Sequence, residues 1–435
     1  LANNQIKKEV YDLLIHGYYG TGGFADGSYL VPHVREETDK LEKRKQIAYY
    51  LNYVRPVVNS HVDPIFKTEP QREWNGGASN LWDLFIKDVD LNGTDLTRFM
   101  KRAGLIAKLF GVCFIVMDNF TDQPINMAQV IKERKCPYAT IVLPQEVTEY
   151  KTDKYGRLIS FTYTQQQDGK EVKKTWTDVI WKIESDKESS GEGIHNLGRV
   201  PVIPLYSRLM NPGEILPMSD FYSIARANLR IYNLCSELDE ILRNQAFSVL
   251  AYPGDVKELM LSTENALGFN PESSHTPSFI TPPADPAKLL MEQTDRLVKE
   301  IYRMAMLTHV TGVQEQKSGV AKAWDFEQTN TALADFAINC EGAEIEMASV
   351  FSLWVKQDLE YQCKYSDDYS IQDVEKELQE VALALDLQIG GMFDVEVKKK
   401  AVAVYLQDIP TEDYDAVIED IASTNQDESM SSGDE

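Results

Sequence analysis

The chain has 435 residues and a formal net charge of −24. That charge excludes a protein that coats nucleic acid through a basic surface, because such binding needs many lysine and arginine contacts to phosphates. It leaves room for a surface past which DNA slides without sticking. With 43% hydrophobic and 26% charged residues, the composition is that of a globular chain able to bury a core, and the length predicts about two to four structural units.

Cys113, Cys136, Cys235, Cys340 and Cys363 are scattered and odd in number, with no CxxC. They predict buried thiols in a reducing compartment, not a disulfide framework or a zinc site. No apolar run reaches the roughly 18 residues of a membrane helix. The first residues, LANNQIKKEVYDLL, lack the apolar region of a signal peptide and read as a short amphipathic helix. The expectation is a soluble, intracellularly made protein without membrane contact.

In chain order, that helix leads into GYYGTGGFADGSYLVP. The glycines suggest a phosphate loop, but no GK[ST] follows and a helix precedes, so a surface loop is expected. Residues 36–66 read as a charged helix turning amphipathic, with Ile47, Leu51, Val54 and Val58 on one face and an interruption at Pro56. A helix over 79–90 carries Trp82, Leu84 and Phe85, and another runs from Thr94 to Phe110. Between them, DVDLNGTDLTRF half-matches a calcium loop at Asp88, Asp90, Asn92 and Gly93. The match fails at Phe99, where a bidentate glutamate is required. A turn is expected, with Asn92 or Thr94 capping the next helix.

A β-rich stretch follows. VCFIVMD (112–118) reads as a buried strand, and YATIVL, VTEYKT, RLISFTYTQ and TWTDVIWKI each as a strand. KTDKYGR is the turn of a hairpin, 185–199 a polar loop, and VPVIPLYSR the entry to the next unit. The second half is largely helical. One helix spans Ser219 to about Ala246. Residues 247–285 form a proline- and serine-rich insert of short strands and loops around a short helix, DVKELML. Asp285-Pro286 starts a helix of about 24 residues, roughly 36 Å, ending near His309. On it Lys288, Glu292, Arg296, Lys299 and Arg303 share one face, while Leu290, Leu297, Ile301 and Met304 form an apolar stripe. The polar loop TGVQEQKSG comes next, then a pattern from near Ala321 towards Tyr361, where Gly342 suggests a kink. Two more helices and an acidic tail without lysine or arginine beyond Pro410 close the chain.

Chemistry is sparse. The six histidines lie far apart without metal-ligand spacing, no GxSxG occurs, and the abundant carboxylates carry no local signature. No enzyme, metal or cofactor is expected.

The order of parts resembles the portal proteins of tailed bacteriophages. YYLNYVRPVVNSHVDPIF is similar to the early wing helix of that family, and LIAKLFGVCFIVMDN to its helix-to-strand step. LGRVPVIPLYSR resembles the lead-in to the stem, and KSGVAKAWDFEQTNTALADFA the start of the long helix. The resemblance covers nearly the whole chain and rests on architecture more than on residue identity. It implies an α+β portal fold, mainly helical. Residues 1–217 would be the wing, with a β segment at 112–183. Residues 218–246 and 286–309 would be the stem helices and 247–285 the clip. Residues 310–322 would be a tunnel loop, 323–365 a long helix bridging wing and crown, and 366–435 the crown and tail.

The resemblance further implies a ring, usually of twelve subunits, at one capsid vertex of the virion, made in the host bacterial cytoplasm. Double-stranded DNA would pass through it, past Val313, Gln314, Glu315, Gln316, Lys317 and Ser318 of the tunnel loop. The charged face from Lys288 to Arg303 would look onto neighbours or the channel. Phe269, Asn270, His275 and Phe279 of the clip would dock terminase and later the head-tail adaptor. Major capsid and scaffolding proteins would be further partners. Two rival readings are another ring-forming virion protein and a metal-dependent hydrolase.

Overall fold

The computed structural model describes residues 2–34, 36–120, 127–167, 169–185, 190–209, 213–245, 249–251, 278–280, 284–307, 319–367, 369, 374–387, 389–405 and a few within 416–421. The chain forms two units, Leu1–Tyr369 and Ser370–Glu435. Both helix and sheet are present in the first, an α+β arrangement.

The first unit opens with α1 (Ala2–Tyr19), α2 (Thr38–Ile47) and α3 (Val54–Ser60). The helix expected over 36–66 is broken at 48–53, and Pro56 is not the cause. Pro56 sits in the first turn of α3, where a helix needs no N–H donor. The break is set from far away by Asn228, fully buried. Its side chain donates to the Leu51 carbonyl at 2.8 Å and accepts from the Tyr53 amide at 3.0 Å and the Tyr50 hydroxyl at 2.8 Å. These bonds hold the backbone that a continuous helix would need. Ile47 and Leu51 are consequently exposed, while Val54 and Val58 are buried.

Strand β1 (Gln71–Asn75), α4 (Ser79–Lys87) and α5 (Leu96–Phe110) follow. The cap of α5 is Asp95, not Asn92 or Thr94; its carboxylate accepts from the Arg98 amide at 2.8 Å. The calcium-like loop is closed by its own bonds, Asp88 accepting from the Gly93 amide and Asp90 from the Asn92 amide. Gly111, at φ +95°, turns the chain from α5 directly into β2 (Val112–Asp118).

Strand β2 is buried along nearly its whole length because it is covered on both faces. Cys113, Ile115 and Met117 point into a helical core with α4 and α5. Val112, Phe114 and Val116 point the other way, into a core with Phe161, Tyr163 and Trp176. After α6 (Met127–Glu133), β3 (Tyr138–Val142) pairs antiparallel with one edge of β2. An antiparallel five-stranded sheet comes next: β4 (Val147–Thr152), β5 (Leu158–Gln167), β6 (Lys170–Thr177), β7 (Ile180–Ser185) and β8 (Gly191–Ile194), in that order. TWTDVIWKI, expected as one strand, is two. The Thr177 hydroxyl accepts from the Val179 and Ile180 amides and folds the run into a hairpin. Strand β8 lies inside the stretch expected as a polar loop. Strand β9 (Val202–Tyr206) then pairs with the other edge of β2.

Helix α7 (Tyr222–Gln245) packs against α8 (Asp285–Met304), and β10 (Val249–Ala251) pairs antiparallel with β11 (Ser278–Ile280) between them. Helix α8 stops five residues short of His309. Met306 takes φ +58°, its amide bonds to the Arg303 carbonyl and the Leu307 amide to the Tyr302 carbonyl at 2.9 Å, a Schellman closure. Residues 308–318 and the DVKELML stretch lie outside the described residues.

Helix α9 (Gly319–Val355) runs unbroken through Gly342. The range 323–365 is not all helix. Lys356 takes φ +54°, the chain turns back, and β12 (Glu360–Lys364) pairs antiparallel with β1. The reversal serves Glu344, which is 0% exposed in the second half of α9. Its carboxylate accepts two bonds from the Arg72 guanidinium, at 2.9 and 2.8 Å. It also accepts from the Tyr361 hydroxyl at 2.8 Å and the Tyr365 hydroxyl at 2.6 Å. Cys363 donates a weaker bond at 3.2 Å. A buried carboxylate needs this density of donors.

The second unit holds α10 (Val374–Asp386) and α11 (Met392–Tyr405), packed on each other.

We predict that Glu344→Gln, which keeps the shape and removes the charge, lowers unfolding free energy by about 3–5 kcal/mol, since the Arg72 guanidinium loses its buried counter-charge and keeps only the exposed Glu69 carboxylate at 3.7 Å. Denaturant unfolding measures it, and a loss under about 1 kcal/mol contradicts the assignment.

Candidate functional site

The five charged residues of α8 are brought together as their spacing implies. Lys288, Glu292, Arg296, Lys299 and Arg303 are all exposed. At 100° per residue they occupy one side of the helix. Arg303 pairs with Glu300 at 2.7 Å; among the described residues Lys288, Arg296 and Lys299 form no ion pair. The opposite side is anchored by buried Ala287 and Ile301 and half-buried Leu290 and Leu297. Met304 departs from the expected apolar stripe. It is exposed, because the helix ends there and the chain turns away.

The other expected site residues are not placed. Val313, Gln314, Glu315, Gln316, Lys317 and Ser318 lie outside the described residues, as do Phe269, Asn270 and His275. Phe279 is placed only by its backbone, paired with Leu250 in the β10–β11 ribbon. Two outward cations of α7, Arg226 and Arg230, were not singled out in the sequence; Arg230 pairs with Glu237 at 3.6 Å. Their spacing of four was a usable signal.

At the end of α8 lies a cavity of about 600 Å³. Met304, Ala305 and Met306 form one wall, Phe221 and Ile224 another, and Ile338 and Asn339 of α9 a third. Lys108 of α5 reaches its floor. This lysine is 8% exposed, donates to the Ser207 carbonyl at 3.0 Å, and lies 4.2 Å over the Phe336 ring. Burial pulls its amine down to about 8, against the partial support of Cys340, Asp220 and Asp335. His61, also on the wall, is pushed down to about 4 by burial and stays neutral, bonded to the Val57 carbonyl. Asp220 is held by Arg208 at 2.9 Å. The arrangement can bind and position a ligand. Among the described residues no group of three histidine, cysteine or acidic side chains could hold a metal.

The depressed amine of Lys108 has a consequence for stability. The folded state holds fewer protons than the unfolded state between about pH 8 and the ordinary lysine value of 10.5. Stability therefore rises with pH across that window, and below it the cost of the buried charge is present in full. We predict that Lys108→Met removes this rise, worth about 3 kcal/mol. Unfolding of the two proteins from about pH 7.5 to 10 measures the difference; parallel profiles contradict it.

No protein-family model matches the chain, and no curated protein matches it. Among solved structures, it is similar to a chain in the virion of a native gene transfer agent particle. Identity is 11%, over 86% of this chain and 94% of that one, with a TM-score of 0.45. A chain in the neck of an empty gene transfer agent particle, computed with C6 symmetry, is similar at 11% identity, over 85% and 93% of the two chains, with a TM-score of 0.44.

Proposed function

We propose that the chain is a portal-type subunit: a structural protein, without catalysis of its own, that closes into a ring at a capsid vertex and lets double-stranded DNA through. One observation carries the reading. Two helices, α7 and α8, pack side by side with a two-stranded ribbon between them, and the 37-residue α9 follows. This order of elements supports the stem, clip and long-helix succession that the sequence resemblance implies. The residues between α8 and α9 would then approach the duplex.

The charge pattern supports the same role. Lys288, Arg296, Lys299 and Arg303 alternate with Glu292 and Glu300 along α8. A purely basic bore would bind each phosphate in turn and slow translocation. A mixed face offers weak, exchangeable contacts. Terminase and then a head-tail adaptor would dock at the clip, with capsid and scaffolding proteins at the ring's periphery. The motor would be a separate protein, because the chain carries no nucleotide-binding loop of the P-loop type.

Inactivating the gene in particle-producing cells tests the function. We predict closed shells without nuclease-protected DNA. Filled shells in its absence overturn the reading.

A further inference from the structure

Helix α9 turns an uncharged face outward over about four turns. Its exposed residues from Ile338 onward are Ile338, Gly342, Ile345, Ser349 and Leu353. They recur every three or four residues, the spacing of a packing seam. In a chain of net charge −24, such a face is poorly suited to water. Gly342 sharpens the point. Glycine is a poor helix former, yet a Cβ at this position would meet nothing within 4 Å. The chain's own fold has no use for the missing side chain. What uses it is a close approach from outside.

The surroundings also await a partner. Leu209 is 93% exposed and Ile338 64% exposed. Together they separate the Lys108 cavity from a second hollow of about 980 Å³. The Lys108 amine uses one carbonyl acceptor, and an ammonium carries three N–H groups. Asp335 and Glu341 flank the face and form no ion pair among the described residues. Glu346 on the other edge is neutralised by Arg199, so the unpaired charges flanking the helix face are acidic. They fit an apolar segment bordered by cations.

The same molecule carries such a segment elsewhere. Ile47, the last residue of α2, and Tyr49 and Leu51 of the extended stretch after it are all exposed. Lys43 and Arg55 border it, exposed and without an ion pair among the described residues. We propose that the α9 face centred on Gly342 seats the Ile47–Leu51 segment of a second copy of this chain. The contact is head-to-tail, so it repeats around a closed ring. It rests on the portal-type reading and names which surfaces meet.

The test combines assembly with cross-linking. Light scattering over a concentration series compares the unmodified protein with Gly342→Trp and Leu51→Glu. Each variant is expected to raise the concentration for assembly by roughly 30-fold or more. A chain carrying both Ile338→Cys and Leu51→Cys, at exposed positions, is expected to form a ladder of covalent multimers on oxidation. Neither variant with one added cysteine should, because the five native cysteines are buried. Unchanged assembly of both variants, or no ladder from the double variant, overturns this contact while a ring by the unmodified protein leaves the portal-type reading standing. Dimers from Ile338→Cys alone indicate a two-fold contact and also overturn it. An unmodified protein that stays monomeric at every concentration overturns both.

Discussion

A carboxylate with no exposure to water governs the shape of the larger unit. Glu344 sits about two thirds of the way along α9 among apolar side chains, and it is tolerated only because Arg72, Tyr361, Cys363 and Tyr365 all donate to it. Three of those donors follow α9 in sequence. They reach Glu344 only if the chain turns back beside the helix, so α9 must stop near Val355 and the next residues must run as a strand. Arg72 comes from β1, which pairs with that strand. One buried charge thus fixes the helix's length, the turn at Lys356 and the ribbon closing residues 71–75 against 360–364.

Strand β2 plays the matching role for the apolar interior. Its two faces feed separate cores, one helical and one sheet-lined. A third core joins α1, α3 and α7 to the end of α8 through Ile301, Ala305 and Leu307. The Schellman closure at Met306 therefore does two things. It ends α8 and presses Leu307 into that core, leaving Met304 and Met306 at the mouth of the Lys108 cavity. The charged side of α8, which takes no part in any core, is left for contacts outside the chain.

Local patterns in the sequence were legible where local physics decides the outcome. VCFIVMD reads as a buried strand because an unbroken apolar run has few other uses, and it is one. The α8 face was legible because helical spacing alone places Lys288, Glu292, Arg296, Lys299 and Arg303 together. Errors arose where distant residues decide. Asn228 breaks a helical pattern from far along the chain, and the donors to Glu344 end another. The turn in TWTDVIWKI contains neither glycine nor proline, only the Thr177 hydroxyl, so alternation ran straight across it. Glu344 itself resembled any other acidic residue of a helix, since its partners span 72 to 365. The tunnel-loop residues and Phe269, Asn270 and His275 lie outside the described residues, Phe279 is placed by its backbone alone, and their roles rest on the sequence resemblance.

Under the proposed reading, the charged side of α8, the uncharged α9 face and the exposed Ile47–Leu51 segment are each completed by neighbouring copies. The central claim is that copies close into a ring around a passage for DNA. End-on electron microscopy of the purified protein tests it most directly. A ring of about twelve subunits with a central opening of roughly 20 Å or more, wide enough for a duplex, is the predicted result. Compact monomers or dimers without an opening, at high protein concentration and across salt conditions, would contradict it.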